Sequence, residues 1–371
     1  MPSMCFTSAF HQEVRPLQPD LNPDRVILQK NISMIIDYRS DTVTRPTPAM
    51  AEAMRTAPLG DDVFGEDPSI NELERMSAEM FGMEAGLFCP SCTMTNQIAI
   101  KCHTQPGDEV ICDENSHIYQ YEGGGIAFNS GASVKLLQGD YGRITAEQVM
   151  AAINPDDIHR ARTSLVSLEN TSNRGGGSCY DFSEIRKIRQ VCDQHQLPLH
   201  LDGASLWNAL VAKNETAAQY GEQFHSISIC LSKSLGCPVG SVLLGTTPFI
   251  RKARRIRKVF GGGMRQAGVL AAAGIYALQN NIDRLKQDHI YTTQIAEAIS
   301  RKDFVELTLP AETNILIFQL RPGTTGPEFV ERLKQHGILA YAIAPDRVRL
   351  VLHLDITEQM VERTIDIINK M

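Results

Sequence analysis

Leu197-Pro198-Leu199-His200-Leu201-Asp202-Gly203-Ala204 and Ser226-Ile227-Ser228-Ile229-Cys230-Leu231-Ser232-Lys233 read as two short strands, each closing on a charged side chain. Both runs are too apolar for a sheet with one wet face, so they predict strands covered from both sides. Working outward, Ala85-Gly86-Leu87-Phe88, Glu109-Val110-Ile111-Cys112, Ser133-Val134-Lys135-Leu136-Leu137, Thr163 to Leu168 and Gly240 to Leu244 repeat the pattern. Helical periodicity fills several gaps, as in Leu73 to Met80 and Phe182 to Gln194. Strand–helix alternation of this kind predicts an α/β domain with a mainly parallel central sheet.

Residues 248–300 turn helical and carry the basic stretch Arg251 to Lys258, read as a solvated face or one that reaches an anionic ligand. After residue 300 the pattern mixes strand and helix: Thr313 to Phe318, Pro327 to His336 and Arg347 to Leu352. The expected organisation is therefore a large domain over residues 34–300 and a small C-terminal α+β domain over 301–371. Residues 34–67 are expected to join the small domain or an interface. Residues 1–33, interrupted by Pro16, Pro19 and Pro23, lack the periodicity of a folded element and the apolar core of a signal peptide. Glu13, Asp20 and Asp24 speak against a transit peptide, so this arm is expected to be disordered and without catalytic part.

The chain has 371 residues, 43% hydrophobic and 21% charged, with a net charge of -7. An acidic balance argues against nucleic acid as the main partner, because phosphate binding wants a concentrated basic face. The apolar runs are too short to span a bilayer. Nine cysteines, scattered and odd in number, read as reduced thiols of a cytoplasmic protein. The Cys89-x-x-Cys92 pair has no second C-x-x-C or histidine cluster to complete a zinc site.

Ligands of open α/β sheets sit at the carboxyl ends of the strands, where Glu169, Asp202 and Lys233 fall. A lysine amine and a carboxylate on successive strand ends suit pyridoxal phosphate: the amine holds the aldehyde and the acid keeps the pyridine nitrogen protonated. Both residue types are also common as solvated strand-end groups, so more positions are needed. Pro90-Ser91-Cys92-Thr93-Met94-Thr95-Asn96 supplies some, since it follows a strand and opens a helix, where a phosphate is favoured. A plain helix cap by Ser91 or Thr93 is the competing reading. Of the ten histidines, His117 and His159 stand at loop positions, whereas His200 and His289 fit ordinary core or surface roles. An imidazole at 117 can stack on a cofactor ring and handle protons.

The order of several further stretches resembles the threonine aldolase (β-eliminating lyase) family of fold type I pyridoxal-phosphate enzymes. They are Arg39 to Pro46, Gly60-Asp61-Asp62-Val63-Phe64-Gly65-Glu66-Asp67-Pro68, Ser167 to Thr171, His200 to Ala204, Ser228 to Lys233, and Gly261-Gly262-Gly263-Met264-Arg265-Gln266. The resemblance runs from Asp37 to about Asp355. It implies that Lys233 carries the cofactor, Asp202 partners the pyridine, His117 stacks on the ring, and Cys92 with Thr93 holds the phosphate. Arg349 and Ser40 would grip the substrate carboxylate, an arginine fork suiting that group. His117 and His159 match histidines near the β-hydroxyl, and Lys258 and Arg265 match residues approaching the phosphate across a subunit interface. A homodimer or homotetramer with shared sites follows.

The implied reaction splits L-threonine, L-allo-threonine or another L-3-hydroxy-amino acid into glycine and an aldehyde. The base is His117 or a water it orders with His159. Two positions depart from the family pattern: Ser205 stands where the family has an arginine beside the cofactor's ring oxygen, and Cys92 replaces a glycine, where a β-carbon is expected to crowd the loop. Racemisation, β-elimination or cleavage of bulkier hydroxy-amino acids on the same scaffold are the alternative activities, and a non-catalytic cofactor binder is a third class.

Overall fold

The computed structural model describes residues 34–371. The arm expected over residues 1–33 lies outside the described residues. The strands are β1 (Ile36–Asp37), β2 (Ala85–Cys89), β3 (Glu109–Asp113), β4 (Ser133–Leu137), β5 (Thr163–Glu169), β6 (Leu199–Gly203) and β7 (Ser226–Cys230). They continue as β8 (Ser241–Gly245), β9 (Val305–Thr308), β10 (Ile315–Leu320), β11 (Ile338–Leu339), β12 (Tyr341–Ala344) and β13 (Arg347–Val351).

Seven of these form one sheet in the order β2-β8-β7-β6-β5-β3-β4. Strand β8 runs antiparallel to both neighbours, and the remaining pairs are parallel. β5, β6, β7 and β8 are buried at every position, which is why their sequences read as continuous apolar runs rather than alternating ones. Alternate side chains serve opposite faces. Leu199, Leu201, Ile227, Ile229, Val242 and Leu244 join one core, while Leu87, Cys89 and Leu243 pack with Ile98 and Ala253 on the other side. Edge strand β4 is largely exposed.

The helix Pro68–Phe81 shows how local sequence sets boundaries. Asp67 caps it by accepting the Ser69 and Ile70 N–H groups at 3.1 Å, and Gly82 closes it in the left-handed conformation at φ 62°. From that helix Glu74 reaches the outer edge of β2, where its carboxylate accepts the Phe88 N–H at 2.8 Å. Arg257 donates to the Phe88 carbonyl at 2.7 Å and pairs with Asp62 at 2.7 Å, both charged side chains being almost fully buried. Arg254 pairs with Glu74 at 2.7 Å. The expectation of a solvated basic face over residues 251–258 is thus corrected in part. Arg257 turns inward to cover a sheet edge that would otherwise leave a backbone carbonyl unpaired, and the half-exposed Arg254 pairs with the Glu74 that accepts the edge's N–H.

The C-terminal part is an antiparallel sheet in the order β12-β13-β10-β9. It packs with the helices Gly326–Gln335, which opens on a Thr325/Glu328 capping box, and Leu285–Ser300, on which Glu358–Lys370 lies. Strand β1 pairs in parallel with β11, and Val351 donates its N–H to the Tyr38 carbonyl at 2.8 Å. No helix among the described residues is long and apolar enough to cross a membrane.

Candidate active site

The carboxyl ends of β2, β3, β5, β6 and β7 converge, because β8 is the one reversed strand of the large sheet. After β2 the helix Cys92–His103 starts with Ser91 as its cap, Ser91 Oγ accepting the Met94 N–H at 3.2 Å. Cys92 is the first helical residue and Thr93 the second, so helix geometry leaves their N–H groups open toward the site. The strain expected at 92 does not arise. Cys92 is not among the positive-φ residues, since the chain enters the helix through an extended Ser91 at φ -151°. The Cys92 thiol instead approaches Asp202 Oδ1 at 3.9 Å. Contact with the Cys230 thiol, then burial, holds it well above the ordinary thiol range.

Asp202 lies within β6 rather than just past it, and is 1% exposed. Its Oδ2 accepts from Asn96 Nδ2 at 2.9 Å and its Oδ1 from the Ala204 N–H at 3.1 Å. Lys233 follows β7 in the tight turn closed by the Gly236 N–H to the Lys233 carbonyl, 2.8 Å. Burial opposes charge on its amine, but Asp41, the Cys230 and Cys92 thiols and Asp202 outweigh that and hold it above the usual lysine range. The half-buried Lys233 and the buried carboxylate at 202 therefore lie close enough to interact.

His117 opens the short helix His117–Gln120 after β3. Its N–H donates to Glu169 Oε2 at 2.6 Å and its ring Nδ1 lies 3.0 Å from Glu122 Oε1. The ring is 5.8 Å from that of Tyr121, over which the Arg174 guanidinium sits at 5.1 Å. Burial lowers the basicity of His117, but Glu122, Asp202 and Glu169 together raise it above the ordinary value. Glu169 is pushed up to about 7 by burial and by Asp202. His117, Glu122 and Asp202 bring one ligand-type atom each to within 4.8 Å of one another. The Asn96 amide donates to both carboxylates, at 3.0 and 2.9 Å, and so relieves their repulsion.

Arg349 on β13 closes the other side. Nη1 donates to Asn173 Oδ1 at 2.8 Å and Nη2 to the Arg39 carbonyl at 3.2 Å, while the buried Nε has no partner. Ser40 stands next to that carbonyl and caps the following turn by accepting the Thr42 N–H at 3.2 Å. Asp41, buried and bonded to Ser234 Oγ at 2.9 Å, places a negative charge near both Arg349 and Lys233.

Other expected positions lie elsewhere in this chain. His159 sits on the loop before β5, at the opposite strand end from Glu169, with its side chain 84% exposed and bonded to Asp157 at 2.9 Å. Within one chain it cannot share a substrate with His117, because the sheet lies between them. Lys258 ends the helix Thr247–Val259 on its exposed side, and Arg265 pairs with Asp61 at 3.0 Å beside the exposed Phe64 ring. Ser205 is half-buried at the start of the helix Leu206–Lys213 and makes no capping bond with its side chain.

Asn96, Gln97, Glu122 and Asn173 enter the site without having been singled out from sequence, and His200, assigned an ordinary core role, lies under it. His200 is fully buried and bonded to Ser226 Oγ at 2.8 Å and Asn96 Oδ1 at 3.3 Å, with burial pushing it down to about 4. The spacing of His117 and Glu122 around one short helix was the available signal.

This set fits pyridoxal 5′-phosphate. A half-buried amine, a carboxylate fixed by amide donors, a helix N-terminus and a guanidinium with an orphaned Nε gather at the carboxyl ends of the strands, each matching a different part of the cofactor or an amino-acid carboxylate. Comparison with known proteins agrees. The low specificity L-threonine aldolase of Escherichia coli strain K12 is 41% identical over 331 residues, covering 88% of this chain and 97% of that one. Low-specificity L-threonine aldolase 1 of Arabidopsis thaliana is 40% identical over 337 residues, 89% of this chain and 94% of its own. The solved threonine aldolase of Leishmania major superposes with a TM-score of 0.79 at 21% identity, over 90% of this chain and 99% of that one, which speaks to the shared fold. With the model of the "Beta-eliminating lyase" family matching residues 37–321, the chain belongs to that family.

Proposed function

We propose that this chain is a pyridoxal-phosphate-dependent aldehyde-lyase that splits L-threonine and L-allo-threonine into glycine and acetaldehyde. The observation that carries the reading is the meeting of Lys233 and Asp202 beside His117. When bound, the cofactor supplies an electron sink for the pair released as the Cα–Cβ bond breaks.

The protein's part is positioning and proton handling. Lys233 Nζ would hold the cofactor through its aldehyde carbon. Asp202, kept in place by Asn96 and the Ala204 N–H, holds the proton on the pyridine nitrogen. The N–H groups of Cys92 and Thr93 bind the phosphate. Arg349, held by one bond from each outer nitrogen, would meet the substrate carboxylate with the remaining N–H of Nη1 and Nη2, the Ser40 hydroxyl alongside. That grip would fix the orientation of the substrate's Cα–Cβ bond in the site. His117 Nε2, or a water it orders, takes the β-hydroxyl proton. Ser205 would offer the cofactor a neutral hydroxyl where the family pattern has a charged donor.

Lys258, Arg265 and His159 all lie on outward surfaces, which supports a homodimer or homotetramer in which a second copy completes each site. The reduced thiols among the described residues suit a cytoplasmic enzyme.

Lys233→Ala tests the reading. The wild-type holoenzyme should release acetaldehyde and glycine in equal amounts from L-threonine. The variant should keep its far-ultraviolet circular dichroism and lose both the cofactor's visible band and turnover. An unchanged band in the variant, or wild-type exchange of alanine's α-proton without aldehyde release, overturns it.

A further inference from the structure

Resting on that reading of the site, we propose that Glu122 is a positioning residue: it fixes the proton of His117 on Nδ1, leaving Nε2 to face the substrate, and links the histidine to Asp202 through Asn96. The Glu122 side chain is entirely shielded from solvent and meets three nitrogen atoms: His117 Nδ1 at 3.0 Å, Asn96 Nδ2 at 3.0 Å and Gln97 Nε2 at 2.6 Å. Two of these are amide nitrogens, which can only donate.

The orientation of both amides is set from behind. His200 Nε2 lies 3.3 Å from Asn96 Oδ1, and Asn129 Nδ2 donates to Gln97 Oε1 at 3.2 Å. With each carbonyl oxygen engaged, each NH2 is turned toward Glu122. Gly125 makes room for this, since a β-carbon there would stand 2.5 Å from Gln97 Cδ. Surrounded by donors, Glu122 is satisfied as an acceptor through both oxygens. A proton on it would set a donor against a donor. His117 Nδ1 must then donate too, so the neutral ring carries its single proton there and Nε2 is the open lone pair. The charged groups facing His117 are Glu122 from its own loop, Glu169 from the end of β5 and Asp202 from β6, with Tyr121 beside it. Glu122 is the one bonded to the ring.

Glu122→Gln tests this in the holoenzyme. A glutamine brings an NH2 among the three donors, so one contact must break and the histidine loses its fixed tautomer. The expected result is a fall in kcat for L-threonine of about 10- to 100-fold with KM within about threefold, the scale at which orienting partners act. The acid limb of the pH profile should move to lower pH, because the carboxylate that raises His117 is gone. The cofactor's visible band should persist. In a double-mutant cycle, Glu122→Gln should cost nothing further in a His117→Asn background. A wild-type kcat and pH profile for the single variant, additive losses in the cycle, or loss of the cofactor's visible band from a folded variant would overturn the proposal. Should Glu122→Gln not fold, Glu122→Asp and Gln97→Met carry the test. The first keeps the charge and should keep the acid limb while lowering kcat, and the second removes one clamp and should do the same. A wild-type kcat in both overturns it. Wild-type protein that releases no acetaldehyde defeats the aldolase reading itself, whereas an active wild type matched by Glu122→Gln defeats this proposal alone.

Discussion

Replacing Arg257 by methionine removes the guanidinium that covers the outer edge of β2 while keeping most of its packing volume. Two groups are stranded: the Asp62 carboxylate, 1% exposed, and the carbonyl of Phe88, whose own side chain is fully buried. A buried charge deprived of its partner costs about 3–5 kcal/mol, and an unmade bond to a buried backbone acceptor about 1–3 kcal/mol. Arg254 stands 3.8 Å from Asp62 Oδ1 and retains part of the attraction, which places the expected net loss near 4 kcal/mol, at the lower end of the combined range. That is about a thousandfold in the unfolding equilibrium. Urea unfolding followed by circular dichroism, at fixed protein and cofactor concentration, measures it. The double variant Arg257→Met/Asp62→Leu removes both charges and should recover most of the loss, because an apolar pair of similar bulk replaces a buried ion pair at little cost. A single variant within 1 kcal/mol of wild type, or a double variant no more stable than the single, refutes the argument that electrostatic satisfaction holds this edge. Because Phe88 leads through Cys89 and Pro90 into the turn that presents Cys92 and Thr93, the single variant should also weaken cofactor affinity.

Arg349→Lys replaces a fork already seated on Asn173 and the Arg39 carbonyl by one ammonium, which cannot keep those bonds and meet a carboxylate. KM for L-threonine should rise about 30-fold or more, the equivalent of about 2 kcal/mol or more, with the visible cofactor band unchanged; a KM within threefold of wild type removes Arg349 from substrate binding. His289 is held neutral, pushed down to about 4 first by burial and then by Arg284. An unfolded histidine titrates near ~6.5, so the unfolded chain takes up a proton the folded one resists. The stability is complete above that value and is lost as pH falls from it toward 4. His289→Gln keeps a donor for Asn208 Oδ1, 3.0 Å away, and has nothing to protonate. The Tm of the variant relative to wild type should therefore improve steadily between pH 6.5 and 4.5; a constant difference counts against it.

What sequence could reveal divides along physical lines. The interior strands were visible as apolar runs because burial on both faces forces them to be so, and the order of charged strand ends then pointed at Asp202 and Lys233. Strand β9, with two exposed central residues, and β12, exposed or half-exposed throughout, carry no such signature. Asn96 looked like one residue inside a helix. Its meaning comes from Asp202, which is 106 positions away, and Glu122, which is 26 positions away. Arg257 was read with its neighbours as part of a charged face, since nothing local says that a sheet edge needing a donor lies beneath it. The expectation for His159 came from resemblance, and a single chain leaves that side chain in solvent.

The pairing of β1 with β11, together with the Arg39 carbonyl under Arg349, joins segments 310 positions apart. On a ribosome Lys233 and the Asp41 partner Ser234 are synthesised well before Arg349, whose bond to the Arg39 carbonyl beside Ser40 waits for the end of translation. A nascent chain halted before residue 338 thus carries Lys233 but lacks β13 and Arg349, so on the proposed reading the grip on an amino acid is the last property this polypeptide acquires.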